Sequence, residues 1–239
     1  MKRSKKGFTL AEVLITLSII GVVAALTIPV LTKDFQETQY KVVFKKTFSE
    51  ISQIFKLEMI DNDNTCRYLH RGIVGDAATS NALAEGLMRN LSVIRYCPAD
   101  VSAPNVCWYT SPVRYLNNQA NLDQNEYAQL IMPAFVLKSG AIVSFVYYSD
   151  SASQACTDGD HNLNACGISR VAFDVNGSKG PNILGKDVFF AHITANGLLP
   201  YGAEGWYGED SGLICETNNS AANNQGYPCA AKVIKNEDY

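Results

Sequence analysis

Residues 8–30 read FTLAEVLITLSIIGVVAALTIPV, 23 positions with one charge, Glu12. At about 1.5 Å per residue, a helix of that length spans about 35 Å, enough to cross the hydrocarbon core of a membrane. The pattern changes at Leu31. Apolar residues then recur at Leu31, Phe35, Val42, Phe44, Phe48, Ile51, Phe55 and Met59. Lys33, Asp34, Glu37, Lys41, Lys45, Lys46, Glu50 and Lys56 occupy other positions of the same segment. Spacing near one turn predicts that the helix continues, now amphipathic, with its Phe-rich stripe against a following domain. The run Asp61-Asn62-Asp63-Asn64 is a poor helix former and should end it. Phe8 to Ile60 would make a rod about 80 Å long. Gly21 and Pro29 are its weak points, and Pro29 should kink it by removing one backbone bond.

The remaining residues, 61–239, carry shorter patterns. Residues 79–93 place Leu83, Leu87 and Leu91 at four-residue spacing, a short amphipathic helix. Residues 131–148 predict two strands around Lys138-Ser139-Gly140. Residues 168–175 and 187–194 predict two more by their β-branched and aromatic content, with a turn at Asn196-Gly197. A helix followed by sequential strands gives the α+β class with an antiparallel sheet. That sheet is expected to rest on the amphipathic half of the long helix. Residues 201–229, rich in Gly and Asn, are expected to contribute little core.

Charge sharpens the division. The chain of 239 residues has a net charge of −3, but four of its 20 basic residues (Lys2, Arg3, Lys5 and Lys6) fall in the first six positions. From Asp61 onward there are 11 basic and 18 acidic residues. No nucleic-acid partner is expected of so acidic a domain. The basic flank keeps residues 1–7 cytoplasmic by the positive-inside rule and places residues 31–239 outside. No HExxH, GxSxG or GxxxxGK[ST] string occurs. Glu209 and Asp210 are adjacent and cannot easily flank one bond, so no enzyme is expected. Trp206, Tyr207 and Tyr201 could form a sugar platform, the basis of a second reading as a tethered monomeric glycan-binding or adhesin-like protein.

A cleaved secretory signal would have a shorter apolar stretch and a clean small-x-small site. Neither that nor a plain anchor explains Glu12, because ionised side chains at a helix centre cost about 2.5–3.5 kcal/mol on insertion scales. The string Lys-Lys-Gly7-Phe8-Thr9-Leu10-Ala11-Glu12-Val13-Leu14 resembles the signal of type IV pilins and type II secretion pseudopilins. The resemblance covers about residues 5–30. It implies that a prepilin peptidase cuts between Gly7 and Phe8 and methylates Phe8, with Glu12 and Pro29 at the family's glutamate and proline positions. The domains are then a leader, 1–7; a membrane and assembly helix, 8–30; an amphipathic helix, 31–60; and a head, 61–239. Glu12 would pair with the Phe8 amine of a neighbouring subunit, an ion pair that sets register. The resemblance also implies a filament made of copies of the chain or related subunits, and an assembly ATPase with its platform complex. It implies a life in the inner membrane before assembly and in a periplasmic or surface filament afterwards.

Seven cysteines lie beyond the membrane segment, where disulfides form. Spacing suggests Cys97–Cys107, Cys156–Cys166 and Cys215–Cys229, with Cys66 left over. Pilin-like proteins often carry such a closed loop near the C-terminus, which the last pair resembles. Asp174, Asn176, Asn182 and Asp187 stand on a glycine-rich loop between strands and offer oxygen ligands, making it a candidate calcium site with Ca²⁺ as the one cofactor considered. Some pseudopilins carry calcium in a head-domain loop, but no EF-hand spacing is present here. The same residues also fit a tight Asx-and-glycine turn whose side chains cap the backbone. His161, among Asp158 and Asp160, reads as a solvated loop.

Overall fold

The computed structural model describes residues 7–61, 77–98, 107, 112–119, 121–122, 133–146, 165–194, 197–206, 211–217 and 219–239. The chain divides into two compact units, Met1–Gln39 and Tyr40–Tyr239. Helix α1, Leu10–Asp61, is a single helix of 52 residues. It stays helical through Gly21 and Pro29 and ends at the first residue of the Asp-Asn run. Leu31 and Phe35 in the first unit are exposed, as are large apolar residues from Phe8 to Ile28.

In the second unit, Tyr40, Phe44, Thr47, Phe48, Ile51, Ile54 and Phe55 of α1 turn to the core. Phe44 stacks on Phe189 at 4.2 Å between ring centroids and meets Phe173 edge-on at 5.4 Å. Phe55 lies 5.9 Å from Phe145. From Tyr40 onward the helix therefore rests on the sheet. The predicted stripe, however, is not one face. Val42 is 60% exposed while Phe44 is fully buried. Two residues apart on a helix means about 200° apart around it, so one burial excludes the other.

The sheet has six antiparallel strands in chain order: β1 Val93–Cys97, β2 Ala134–Leu137, β3 Ile142–Val146, β4 Ala165–Asp174, β5 Val188–Thr194 and β6 Gly197–Pro200. This is the α+β, pilin-like architecture. The β2–β3 hairpin turns at Lys138-Ser139-Gly140, with Gly140 at φ +86°. Ala141 gives its carbonyl to Leu137 N–H across that turn at 2.9 Å. Strand β5 is buried along its whole length. Helix α2, Ala77–Met88, is shorter than predicted. Turn bonds from Arg89, Asn90 and Leu91 close it, and the chain enters β1 at Val93, where the helical pattern had been extended.

A further helix, α3, covers Cys229–Lys235 and buries Cys229, Ala230, Ala231 and Val233. It ends on Asn236 in the left-handed conformation. Beyond it the chain returns to α1: Lys45 Nζ donates to Asn236 Oδ1, and Lys41 sits 4.3 Å over the Tyr239 ring. The expectation of little core in 201–229 is corrected, since Tyr201, Trp206, Cys215, Asn224 and Tyr227 are all buried. Asn224 explains how a polar stretch can be internal. Its side chain accepts from Glu216 N–H at 2.9 Å and donates to the carbonyls of Glu216 and Asn219, replacing lost water.

Candidate functional site

Gly7, Phe8 and Thr9 precede the first helical residue, Leu10. Phe8 is 88% exposed. The Gly7–Phe8 bond thus lies in non-helical backbone ahead of α1. Thr9 and Glu12 close the start of α1 reciprocally. Thr9 N–H and Thr9 Oγ1 both donate to Glu12 Oε2 at 2.8 Å, and Glu12 N–H donates to Thr9 Oγ1 at 3.3 Å. This is a capping box, which satisfies amide donors that a helix N-terminus leaves without intrahelical partners. Among the described residues, the hydrogen bonds to the carboxylate use Oε2. Sequence reasoning gave Glu12 a role but none to Thr9. The Thr-x-x-Glu spacing was the signal that could have shown it.

The segment that follows is suited to an apolar medium. Its hydroxyls bond back to carbonyls one turn earlier: Thr16 to Glu12, Ser18 to Leu14, Thr27 to Val23 and Thr32 to Ile28, each at 2.8–2.9 Å. A hydroxyl satisfied within its own helix needs no water. Among the described residues, one helix is long and apolar enough to cross a membrane. Pro29 lies within it.

In the head, the loop from Asp174 to Asp187 is held from inside. Asp174 Oδ1 accepts from Asn176 N–H at 3.1 Å and Gly177 N–H at 2.9 Å. Asp187 Oδ2 accepts from Asn182 N–H at 2.8 Å and Asn176 Nδ2 at 2.9 Å, while its Oδ1 accepts from Ile183 N–H at 2.6 Å. Burial pushes the Asp187 carboxyl above its ordinary range; the bonds from Ile183, Asn182 and Asn176 pull it down without cancelling that rise. Arg114 ties the loop to the rest of the head through backbone bonds to Asn182 and Leu184. Gly185, at φ +86°, lies where a Cβ would stand 2.6 Å from Cys229 Sγ. The structure thus gathers Asp174, Asn176, Asn182 and Asp187 on one Asx-and-glycine loop. Both Asp187 oxygens serve N–H donors, while the buried Asn176 Oδ1 and Asn182 Oδ1 accept no hydrogen bond among the described residues. Among the described residues, no group of three or more His, Cys, Asp or Glu is placed to hold a metal.

Cys97–Cys107 and Cys215–Cys229 are disulfides, with Cα atoms 5.9 Å and 5.2 Å apart. The Cys156–Cys166 pairing, Cys66, His161, Tyr207, Glu209 and Asp210 lie outside the described residues or side chains. The sugar-platform expectation is corrected. Tyr201 and Trp206 are buried and pack on each other at 5.0 Å, while Tyr201 also stacks on His192 at 4.3 Å. Rings consumed in the core present no face to a ligand.

A long apolar helix opened by a capping box, followed by a six-stranded antiparallel sheet, is a pilin-like α+β architecture. The prokaryotic N-terminal methylation motif family matches residues 2–28, so the chain carries the prepilin-type signal of type IV pilins and pseudopilins. No curated protein and no solved structure matches the chain. The signal and apolar helix fit inner-membrane anchoring of a pilin precursor.

Proposed function

We propose that the chain is a structural subunit, pilin or pseudopilin, of a type IV pilus-like or type II secretion filament. The observation that carries this reading is the matched signal at residues 2–28 standing on a helix whose apolar surface is exposed from Leu10 to Phe35. The precursor sits in the inner membrane with its head outside the cytoplasm. Prepilin peptidase cuts between Gly7 and Phe8, and Phe8 is methylated on its new amine. The subunit then polymerises through its N-terminal helix, driven by the assembly ATPase and platform complex. Pro29 is an assembly residue of that helix, and Glu12 pairs with the amine of a neighbour. The role is structural rather than catalytic. Burial of Tyr201 and Trp206 removes the main support for the tethered glycan-binding alternative.

The test is the intact mass and N-terminal sequence of the protein from its own membranes. A chain that starts at methylated Phe8 is expected. A chain that starts at Met1 would restore the tethered binding protein. A start beyond Pro29 would mean a released protein, and the account of Glu12 would fall with it.

A further inference from the structure

We propose that the Cys215–Cys229 disulfide works a redox-sensitive latch on α1: with the bond formed, Tyr239 is held against Lys41, and with the bond reduced Tyr239 lets go. This goes beyond the filament reading and involves only the second unit of the chain.

Tyr239 joins three separate parts of the head. Its ring lies beside Lys41 of α1, with Nζ 4.3 Å from the ring centroid. Its hydroxyl donates to the Gly185 carbonyl at 2.9 Å. Its own carbonyl accepts from Thr217 Oγ1 at 2.6 Å. Three residues earlier, Asn236 Oδ1 accepts from Lys45 Nζ, one turn along α1 from Lys41. Lys41 and Lys45 are half-buried and Asn236 is exposed, so neither contact with α1 is strong by itself. Residues 236–239 form a strap that stays on α1 only while Gly185 and Thr217 keep Tyr239 in place.

Both supports stand on the disulfide. Thr217 follows Cys215 by two residues. Gly185 is pressed against the other half of the bond, where a Cβ would stand 2.6 Å from Cys229 Sγ. Asn236 ends the helix that Cys229 begins. The two cysteines are 14 residues apart, so breaking the bond frees a loop whose ends carry the two supports of Tyr239. The bond forms when an external disulfide accepts two electrons and leaves as two thiols, taking up the protons of Cys215 and Cys229. Such exchange belongs to compartments outside the reducing cytoplasm. A newly made chain therefore carries Tyr239 loose and fastens it to α1 once its head is oxidised.

The test uses the full chain in detergent. An amine-acetylating reagent labels it briefly, and mass spectrometry gives the labelling rate of Lys41 relative to the exposed Lys138. The parent, Cys215→Ser plus Cys229→Ser, and Tyr239→Ala are each read before and after dithiothreitol. Reduction of the parent should raise the ratio about three-fold, the scale of a cation–π contact at an exposed site. The double cysteine variant should show the raised ratio before any reductant, and Tyr239→Ala should show it in both states. A parent ratio that reduction leaves unchanged would overturn the latch, as would a double variant that labels like the oxidised parent. If Tyr239→Ala still responds to reduction, the bond acts on α1 by another route and the latch is again overturned. A melt recorded beside each labelling covers the remaining case: a reduced parent with no cooperative transition means that the bond holds the whole head, and no latch exists.

Discussion

At Asp187, three N–H donors converge on a carboxylate that the core shields from water. Burial favours the neutral acid and the donors favour the anion; burial prevails, and the native carboxyl sits above its ordinary range. Folding therefore takes up a proton there. The stability contributed by this group is full below its unfolded value, about 4, and is lost as pH rises through the raised native value. Thermal melts of the full chain in detergent should show this as a declining component between pH 4 and the native value, absent from Asp187→Asn. Equal pH slopes in parent and variant would refute it. Asp187→Ala should cost about 3 kcal/mol near neutral pH, because it orphans donors in a buried loop. The sequence showed that Asp174, Asn176, Asn182 and Asp187 belonged together, and both a calcium site and a self-capped turn fitted them. Which N–H groups meet the two aspartates was not legible, because N–H direction is a property of the folded backbone.

The same contrast between type and direction governs α1. Phe44 and Val42 belong to one hydrophobic pattern in the sequence, yet they face opposite ways in the head. Phe44→Ala should cost about 3–5 kcal/mol, because it empties a site lined by the rings of Phe48, Phe173 and Phe189. Val42→Ala should change the stability of the detergent-solubilised chain by less than about 0.5 kcal/mol. Comparable losses for the two would mean that the helix is rotated from the orientation described. The hairpin around Lys138-Ser139-Gly140 and strands β4 and β5 were legible because alternation and β-branched residues are local signals. Strand β1 was not, since Leu91 extended a helical spacing past the turn that stops α2. Helix α3 was missed for a different reason. Its seven residues are too few to establish a period, and its burial depends on a disulfide and on Gly185, both supplied from elsewhere in the chain.

For the molecule as a whole, the N-terminal signal was the most legible feature and the C-terminal part of the head the least. The signal is a run of consecutive residues read by a peptidase, so its information is linear. Residues 201–229 enter the core through tertiary arrangement: Asn224 substitutes for water, Tyr201 and Trp206 pack together, and Cys215–Cys229 closes the segment. Opening that disulfide with Cys215→Ser plus Cys229→Ser should cost about 3 kcal/mol, within the range for a loop of this size. The melting temperature of the reduced parent should fall alongside that of the double variant. A variant that melts like the oxidised parent would show that the segment holds itself in place without the bond.

The strand order β1 to β6 matches the order in which a ribosome makes them. After β1, each new strand finds a neighbour already synthesised. The exceptions are the rings at the two ends of the wait. Phe44 and Phe55 are made early but meet Phe173, Phe189 and Phe145 only after more than eighty further residues have followed. During synthesis this half of the helix is greasy and uncovered, the condition in which nascent chains aggregate. The sheet can zip up stepwise, but the newborn chain is protected only once β3 to β5 have been added.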